Sequence, residues 1–296
     1  MKVAVTGSTG FVGKRYLQVP ASNCSKMPLN LRATRVEDID LRGTDVIVHL
    51  AGKAHDMQGA PDEEYFSVNF DLTRALADRA KSSGVMQFIY ISSTKVYGDE
   101  ISATLDEHSA CLPTDAYGKS KLAAEHYLQS ISSPDFKVAI VRPPLVYGPE
   151  VKGNMIRLLE LASKNIPLPL GKTNNARSMV FLDNLVALID KIIGEEASGL
   201  FIAGDERPLS TDELVTAIRS NLGNTSGLVS IPVFMRPLIR KIKPALYTRL
   251  FGSFVVDNKG SNQRLNFTPP FSSEEGISVM TRWYLTWKNR EHAKGI

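Results

Sequence analysis

Short aliphatic runs alternate with amphipathic stretches through the first half of this chain. The runs are KVAVTG (2–7), DVIVHLAG (45–52), QFIYISS (87–93) and KVAIVRP (137–143). Each is compact and ends in small or polar residues, the pattern of strands buried on both faces. Helical texture lies between them. FVGKRYLQV reads as a helix start, VNFDLTRALADRAKSSG (68–84) as a helix, and 116–131 as another behind Asp115, a helix-capping residue type. In that last stretch Ala123, Ala124, Tyr127, Leu128 and Ile131 form one apolar stripe at helical spacing. Strand–helix alternation of this kind predicts an α/β fold with a doubly wound parallel sheet, whose ligands bind beyond the carboxyl ends of the strands.

After PPLVYGPE the texture changes to more proline, shorter elements and a basic tract near 236–249. Residues 1–150 therefore read as a dinucleotide-binding domain and 151–296 as a smaller, partly interleaved α/β substrate-binding region. SMVFLDNLVALIDKII (178–193) is expected to pack back onto the first part. Gly7, Gly10 and Gly13 stand between the first strand and the first helix. The first glycine allows a tight turn, the second lets backbone approach a pyrophosphate, and the third lets helix and strand pack closely. The helix N-terminus then faces the anion.

Bulk numbers narrow the class. A length of 296 residues with 43% hydrophobic residues suits one large domain or two modest ones. The net charge of +4 comes from 35 basic and 31 acidic residues and gives a sequence pI near 8.9. That mild excess favours an anionic small ligand or surface over dedicated nucleic-acid binding. Cys24 and Cys111 lie in unrelated contexts and form no metal-type spacing, so no metal and a reduced, cytoplasmic compartment are expected. MKVAVTGSTG breaks into glycines too early for a signal peptide, and no apolar run approaches the length of a membrane span.

Tyr117 and Lys121 stand four residues apart on the 116–131 helix, with Cβ atoms about 5–6 Å from each other. The pair alone is compatible with an ordinary surface contact. With the glycine turn, HLAG (49–52), SSTKVYG (92–98), YGKSK (117–121) and RPPLVYGP (142–149) in this order, however, the chain resembles the extended short-chain dehydrogenase/reductase superfamily. It looks most like the bacterial nucleotide-sugar 4-epimerases and 4-ketoreductases of the NAD-dependent epimerase/dehydratase family. The match runs through RSMVFLDNLV to FVVDNKGSNQRLNFTPP.

The resemblance implies a Rossmann-type sheet, Tyr117 as acid/base, Lys121 as its partner and Ser93 as the hydroxyl that helps hold the substrate oxygen. The chemistry is coherent. An unperturbed phenol, with a pKa near 10, is a weak base at neutral pH. A nearby ammonium and a cationic nicotinamide are expected to bring it into range. The expected cofactor-binding set is Gly7, Gly10, Phe11, Val12, Gly13, Arg32, Leu50, Ala51, Gly52, Asn69, Tyr117 and Lys121, for NAD or NADP. The expected substrate-binding set is Ser93, Thr94, Asn154, Arg177 and Arg249, with the two arginines on a diphosphate, a task suited to guanidinium forks.

Three departures matter. Thr94 and Lys95 stand where sugar-nucleotide 4,6-dehydratases carry an Asp–Glu pair, so no acid–base pair for eliminating water is evident. PLNLRATR offers Arg32 and Arg35 and no acid before Glu37 where an NAD site usually has a carboxylate, which leaves NAD and NADP open; the second strand is expected within LNLRAT. Leu145 replaces an asparagine common in UDP-hexose epimerases, and RPPLVYGPEVKGN reads closer to proteins that handle 2-acetamido sugars for surface polysaccharides. The tract IPVFMRPLIRKIKPALYTRLFGSF carries Arg236, Arg240, Lys241, Lys243 and Arg249 and no acid, and it reads as a cover over a diphosphate, a contact with an anionic membrane, or a solvated helical face with buried aliphatics. The expectation is a homodimeric 4-epimerase of a UDP-activated hexose or N-acetylhexosamine. Its alternatives are a 4-ketoreductase, a 4-epimerase of a lipid-diphosphate-linked sugar and a non-catalytic dinucleotide sensor.

Overall fold

The aliphatic runs become strands of a parallel sheet in the computed structural model, which describes residues 1–21, 24–32, 35–54, 60–99, 103–232, 234 and 236–293. In chain order the strands are β1 (Lys2–Thr6), β2 (Ser25–Pro28), β3 (Val46–His49), β4 (Gln87–Ile91), β5 (Lys137–Arg142), β6 (Leu145–Tyr147), β7 (Leu168–Gly171), β8 (Met179–Phe181), β9 (Gly199–Ile202) and β10 (Leu228–Ser230). Six of them form one all-parallel sheet in the order β2-β1-β3-β4-β5-β9, while β6 pairs with β8 and β7 with β10. The order reverses between β1 and β3, and a ligand crevice opens at such a switch point. Every residue of β3 and β4 is buried, as helices on both faces require.

The helices are α1 (Phe11–Gln18), α2 (Asp62–Phe66), α3 (Leu72–Ser82), α4 (Ala116–Ile131), α5 (Asn154–Ala162), α6 (Leu182–Gly194), α7 (Thr211–Asn221), α8 (Arg236–Ile242), α9 (Pro244–Phe251), α10 (Lys259–Leu265) and α11 (Ser273–Ala293). Ile47, Phe88, Tyr90 and Ile140 of the sheet join Leu76, Ala80, Ala124 and Leu128 of α3 and α4 in one buried cluster. The periodicity that predicted these helices is thus core-facing.

Two local expectations are corrected. The second strand lies earlier than the expected LNLRAT, whose Ala33 and Thr34 are outside the described residues, and occupies SKMP, where Met27 pairs with Ala4 and Pro28 with Val5. It is an edge strand, and a proline is tolerated at its end. Leu29 and Leu31, which carry the apolar signal, instead pack on the core from the turn that follows. The helix expected from residue 68 begins at Asp62 behind Pro61, with three acidic residues in its first turn. It passes through a widened π-type turn at Ser67–Asp71 into α3, so Asn69 stands within a continuous helix rather than at its start.

Chain contacts divide the protein into two compact units. Unit 1 comprises Met1–Pro144, Leu185–Ala203 and Asp257–Thr268, and includes the whole six-stranded sheet. Unit 2 comprises Leu145–Asn184, Gly204–Val256 and Pro269–Ile296. In unit 2, Ser210 and Glu213 close a capping box at the start of α7, and Asp205 receives hydrogen bonds from the Tyr147 hydroxyl at 2.7 Å and the Phe181 amide at 2.9 Å. No helix among the described residues is long and apolar enough to cross a membrane.

Candidate active site

The glycine turn has little slack. Gly7 sits at φ +64°, and a Cβ there would come within 2.6 Å of the Ala51 nitrogen. A Cβ on Gly13 would stand 2.2 Å from the Gly7 carbonyl oxygen. The β1–α1 turn is therefore pressed onto Leu50 and Ala51 at the end of β3, and α1 onto the turn. Gly10 is different: it is exposed, and its added Cβ would meet only the Gly7 oxygen at 3.1 Å. Gly10 caps α1 without any side-chain hydrogen bond, and Phe11 and Val12 are half-buried in the first helical turn. Exposed backbone, a bare helix N-terminus and the switch point together fit the diphosphate of a dinucleotide.

Below this turn lies a buried hydrogen-bond chain. Thr6 Oγ1 accepts the amides of Leu50 and Ala51, each at 3.1 Å, and stands 2.7 Å from His49 Nδ1. With both lone pairs used, the hydroxyl donates to Nδ1, which places the imidazole proton on Nε2. Nε2 then donates to Thr73 Oγ1 at 3.0 Å, and Thr73 donates to the Asn69 carbonyl at 2.8 Å. Burial, followed by the charge of Lys121, lowers the His49 pKa to about 3, so the ring stays neutral. The widened turn presents that Asn69 carbonyl to Thr73 and also to the Tyr90 hydroxyl, 3.3 Å away.

The Asn69 side chain is fully buried. Its Oδ1 accepts the Lys53 amide at 2.8 Å, and its Nδ2 donates to the Lys53 carbonyl and to Ser120 Oγ, both at 3.1 Å. Ser120 in turn donates to the Tyr117 carbonyl at 2.9 Å. Asn69 thus fastens the segment after β3 to α4, and the side chain orients the site. Gly52 is hemmed in by the same groups, since its added Cβ would lie 3.0 Å from Asn69 Oδ1 and 3.3 Å from Lys121 Nζ.

Tyr117 and Lys121 occupy the first two turns of α4, which Asp115 caps by accepting the Gly118 amide at 2.7 Å. Ser93 follows β4 in extended conformation, its hydroxyl accepts the Lys95 amide at 3.2 Å, and it acts on the Tyr117 phenol to lower its pKa. The Tyr65 and Tyr117 rings meet edge to face, 6.2 Å between centroids. Burial raises the Tyr117 pKa; the Ser93 hydrogen bond opposes that rise, and Asp115 and Tyr65 add to it. Lys121 is buried, donates to the Ile91 carbonyl at 2.9 Å and lies 4.6 Å from the Tyr90 ring centre. Burial lowers its pKa to about 8, and the charge of Glu125 works against that fall. The expected depression of the phenol pKa by Lys121 is therefore not seen in the protein by itself, where burial dominates and Lys121 is not among the groups that shift the phenol.

Thr94 is buried in the turn after Ser93, its amide held by the Pro143 carbonyl at 3.1 Å. Lys95 pairs with Asp99 and with Asp115. Arg32 is exposed just past β2, where its amide donates to Asn30 Oδ1 at 3.0 Å, and nearby Arg35 faces Glu37 at 3.6 Å.

Unit 2 contains a cleft of roughly 330 Å³ lined by Asn154, Arg177 and Arg249. Leu145, Leu158, Leu161 and Met179 give it an apolar wall. Arg177 is anchored by donating Nη1 to the carbonyls of Thr248 and Gly252, each at 3.1 Å. Burial lowers its pKa, a penalty that an incoming anion would relieve. The side chain of Arg236, part of the basic tract, lies outside the described residues.

The pattern reading missed Glu125, Arg142 and Ser92. Glu125 follows Lys121 by one helical turn and binds Arg142, the last residue of β5, while Ser92 donates to the same carboxylate. A charged residue at the end of an aliphatic strand was the available signal.

A model of the NAD dependent epimerase/dehydratase family matches residues 3–202. A UDP-glucose 4-epimerase of Vibrio cholerae is 33% identical over 97% of each chain. An N-acetyl-alpha-D-glucosaminyl-diphospho-ditrans,octacis-undecaprenol 4-epimerase of Escherichia coli O157:H7 is 26% identical over 78% of this chain and 75% of its own. The fold matches a UDP-glucuronic acid 4-epimerase from Bacillus cereus in complex with NAD, with a TM-score of 0.75, 19% identity and coverage of 97% and 99% of the two chains.

Proposed function

Because the chain belongs to the NAD dependent epimerase/dehydratase family, we propose that it is a 4-epimerase of a UDP-activated hexose or N-acetylhexosamine, serving surface-polysaccharide synthesis. The observation that carries this reading is the placement of Tyr117 one helical turn before the buried Lys121, whose ammonium is held by the Ile91 carbonyl at the end of the strand that leads to Ser93. A bound nicotinamide supplies reversible hydride exchange with C4 of the sugar. Everything else falls to the side chains. Tyr117 Oη takes the proton from the C4 hydroxyl while Ser93 holds the same oxygen. Lys121, when protonated, favours the phenolate, and the cationic nicotinamide adds to that effect, offsetting the burial that raises the phenol in the protein alone.

After the keto sugar turns over, Tyr117 returns the proton to the C4 oxygen. In unit 2, Arg177 and Arg249 suit the diphosphate, with Asn154 beside them. Leu145 makes part of the wall apolar, which suits an acetamido methyl group. Thr94 and Lys95 supply no carboxylate pair, so the reading omits elimination of water.

A second reading, a one-way 4-ketoreductase, is favoured by exposed Arg32 just past β2, which suits the 2′-phosphate of NADP. The likeness to the Escherichia coli protein keeps a lipid-diphosphate-linked sugar in view. One experiment separates these. The purified protein is incubated with UDP-acetamidohexoses, with UDP-hexoses and with a lipid-diphosphate-linked acetamidohexose, without added cofactor, and the products are identified. Epimerisation on endogenous cofactor supports the proposal. Strict consumption of added reduced nicotinamide replaces it with the reductase, and turnover of the lipid-linked sugar alone replaces the substrate class. Unchanged turnover in Tyr117→Phe would eliminate the mechanism.

A further inference from the structure

From Leu214 to Val256 the chain carries six basic residues and no acidic one. They are not equivalent. Arg219 is turned inward, donating to the carbonyls of Gly227 and Ile166, and Arg249 lines the cleft. Arg240, Lys241 and Lys243, by contrast, are exposed where α8 ends and α9 begins.

Two large apolar side chains accompany these cations in sequence. Phe234 is 81% exposed, the most of any large hydrophobic residue described, and Ile242 is 65% exposed. An exposed aromatic and an exposed aliphatic among like charges describe neither a solvated helix nor half of a packed core. They fit the boundary between lipid headgroups and acyl chains, where apolar tips insert and cations meet phosphates.

We propose that the segment around Phe234, Arg240, Lys241, Ile242 and Lys243 docks unit 2 onto an anionic lipid surface. The charge selects this occupant over a second copy of the chain. A two-fold contact would set the same patch against itself and oppose cation to cation across the interface. It also gives the docking a purpose, since α8 packs on α9 and α9 carries Arg249 and Leu250 into the cleft wall. The surface therefore adjoins the candidate anion site without belonging to it. The inference holds for either a soluble or a lipid-borne sugar, so it stands apart from the proposed function.

The test is co-sedimentation of the full-length protein with vesicles of phosphatidylcholine, with and without phosphatidylglycerol. Binding is expected only to the anionic vesicles, and it should fall as salt rises. Each cation removed should weaken binding about fivefold, so that Lys241→Ser with Lys243→Ser weakens it on the order of 25-fold. Phe234→Ser should weaken it as well. Calorimetric UDP binding to each variant is expected to stay as in the parent, showing that unit 2 is intact. Absence of binding to anionic vesicles, or binding indifferent to both sets of substitutions, would overturn the proposal. So would release of vesicles by UDP at concentrations that fill the cleft, or dissociation of an oligomer by Lys241→Glu with Lys243→Glu, because the patch would then belong to the cleft or to another copy of the chain.

Discussion

Glu125 and Arg142 form a buried ion pair inside unit 1, with Arg142 Nε 3.0 Å and 3.1 Å from the two carboxylate oxygens and Nη2 donating to one of them. Glu125 lies on the helix of Tyr117 and Lys121, Arg142 ends β5, and Ser92 at the end of β4 donates to the same carboxylate. One charge pair thus fixes how the helix of Tyr117 and Lys121 meets the strand ends that lead to Ser93. Both partners are buried, so removing one strands the other in a medium that solvates it poorly. Glu125→Ala is expected to destabilise the protein by about 3–5 kcal/mol. Urea unfolding would measure this, and a loss under about 1 kcal/mol would show that the pair is not a structural clamp.

The titration of Lys121 gives a pH prediction. Its pKa falls from 10.5 in the unfolded chain to about 8 in the folded one. Between those values the unfolded state binds more protons, so this group makes stability rise with pH through that window. Under the proposed mechanism catalysis runs the other way, because the ammonium is the form that supports the phenolate. An alkaline limb in kcat/KM is therefore expected near pH 8. Lys121→Arg should remove that limb, since a guanidinium stays charged. A profile unchanged by this substitution would assign the limb to another group.

The sheet was legible because β3, β4 and β5 each carry a near-continuous run of buried apolar residues, and α4 because Asp115 caps a helix with an apolar stripe. Where the chain departs from periodic burial, the pattern failed. SKMP is half-exposed at the sheet edge and carries no alternation to read. A π-type turn adds a residue to one helical turn, and a stripe of apolar residues tolerates that shift without showing it. The placement of Tyr117 and Lys121 one turn apart followed from spacing alone. Their electrostatics did not, because desolvation depends on neighbours such as Tyr65 and Tyr90 that are distant in sequence. Arg177 and Arg249 were reached only through resemblance, and folding brings both to one cleft.

The three glycines of the turn should separate folding from ligand binding. Gly13→Ala places a methyl group 2.2 Å from the Gly7 oxygen, and Gly7→Ala adds one 2.6 Å from the Ala51 nitrogen at a left-handed φ. Both are expected to lower thermal stability, by roughly 1–3 kcal/mol for the strained backbone at Gly7. At Gly10 the contact is 3.1 Å and the side chain would point into exposed space, so Gly10→Ala should fold normally yet weaken dinucleotide binding on the order of tenfold. Fluorescence titration with NADH beside a melting curve distinguishes the two behaviours, and equal melting losses at all three positions would refute the assignment.

His49 gives the protein a built-in acid sensitivity. Burial, followed by the charge of Lys121, keeps it neutral, and in that form Thr6 donates to one nitrogen while Thr73 accepts from the other. Its pKa drops from 6.5 to about 3 on folding, so between those values the unfolded chain binds the extra proton. Stability from this group is complete above pH 6.5 and is lost as pH falls towards 3, at up to about 1.4 kcal/mol per pH unit. His49→Gln keeps an amide able to bridge part of the chain but cannot titrate. The variant should be less stable at pH 7 by about 1–3 kcal/mol, because it leaves buried hydroxyl groups imperfectly paired. Its unfolding free energy should also fall less steeply than the parent's on acidification below pH 6. Parallel slopes for the two proteins in urea titrations across that range would mean that His49 already protonates in the folded state, and the neutral bridge between Thr6 and Thr73 would have to be abandoned.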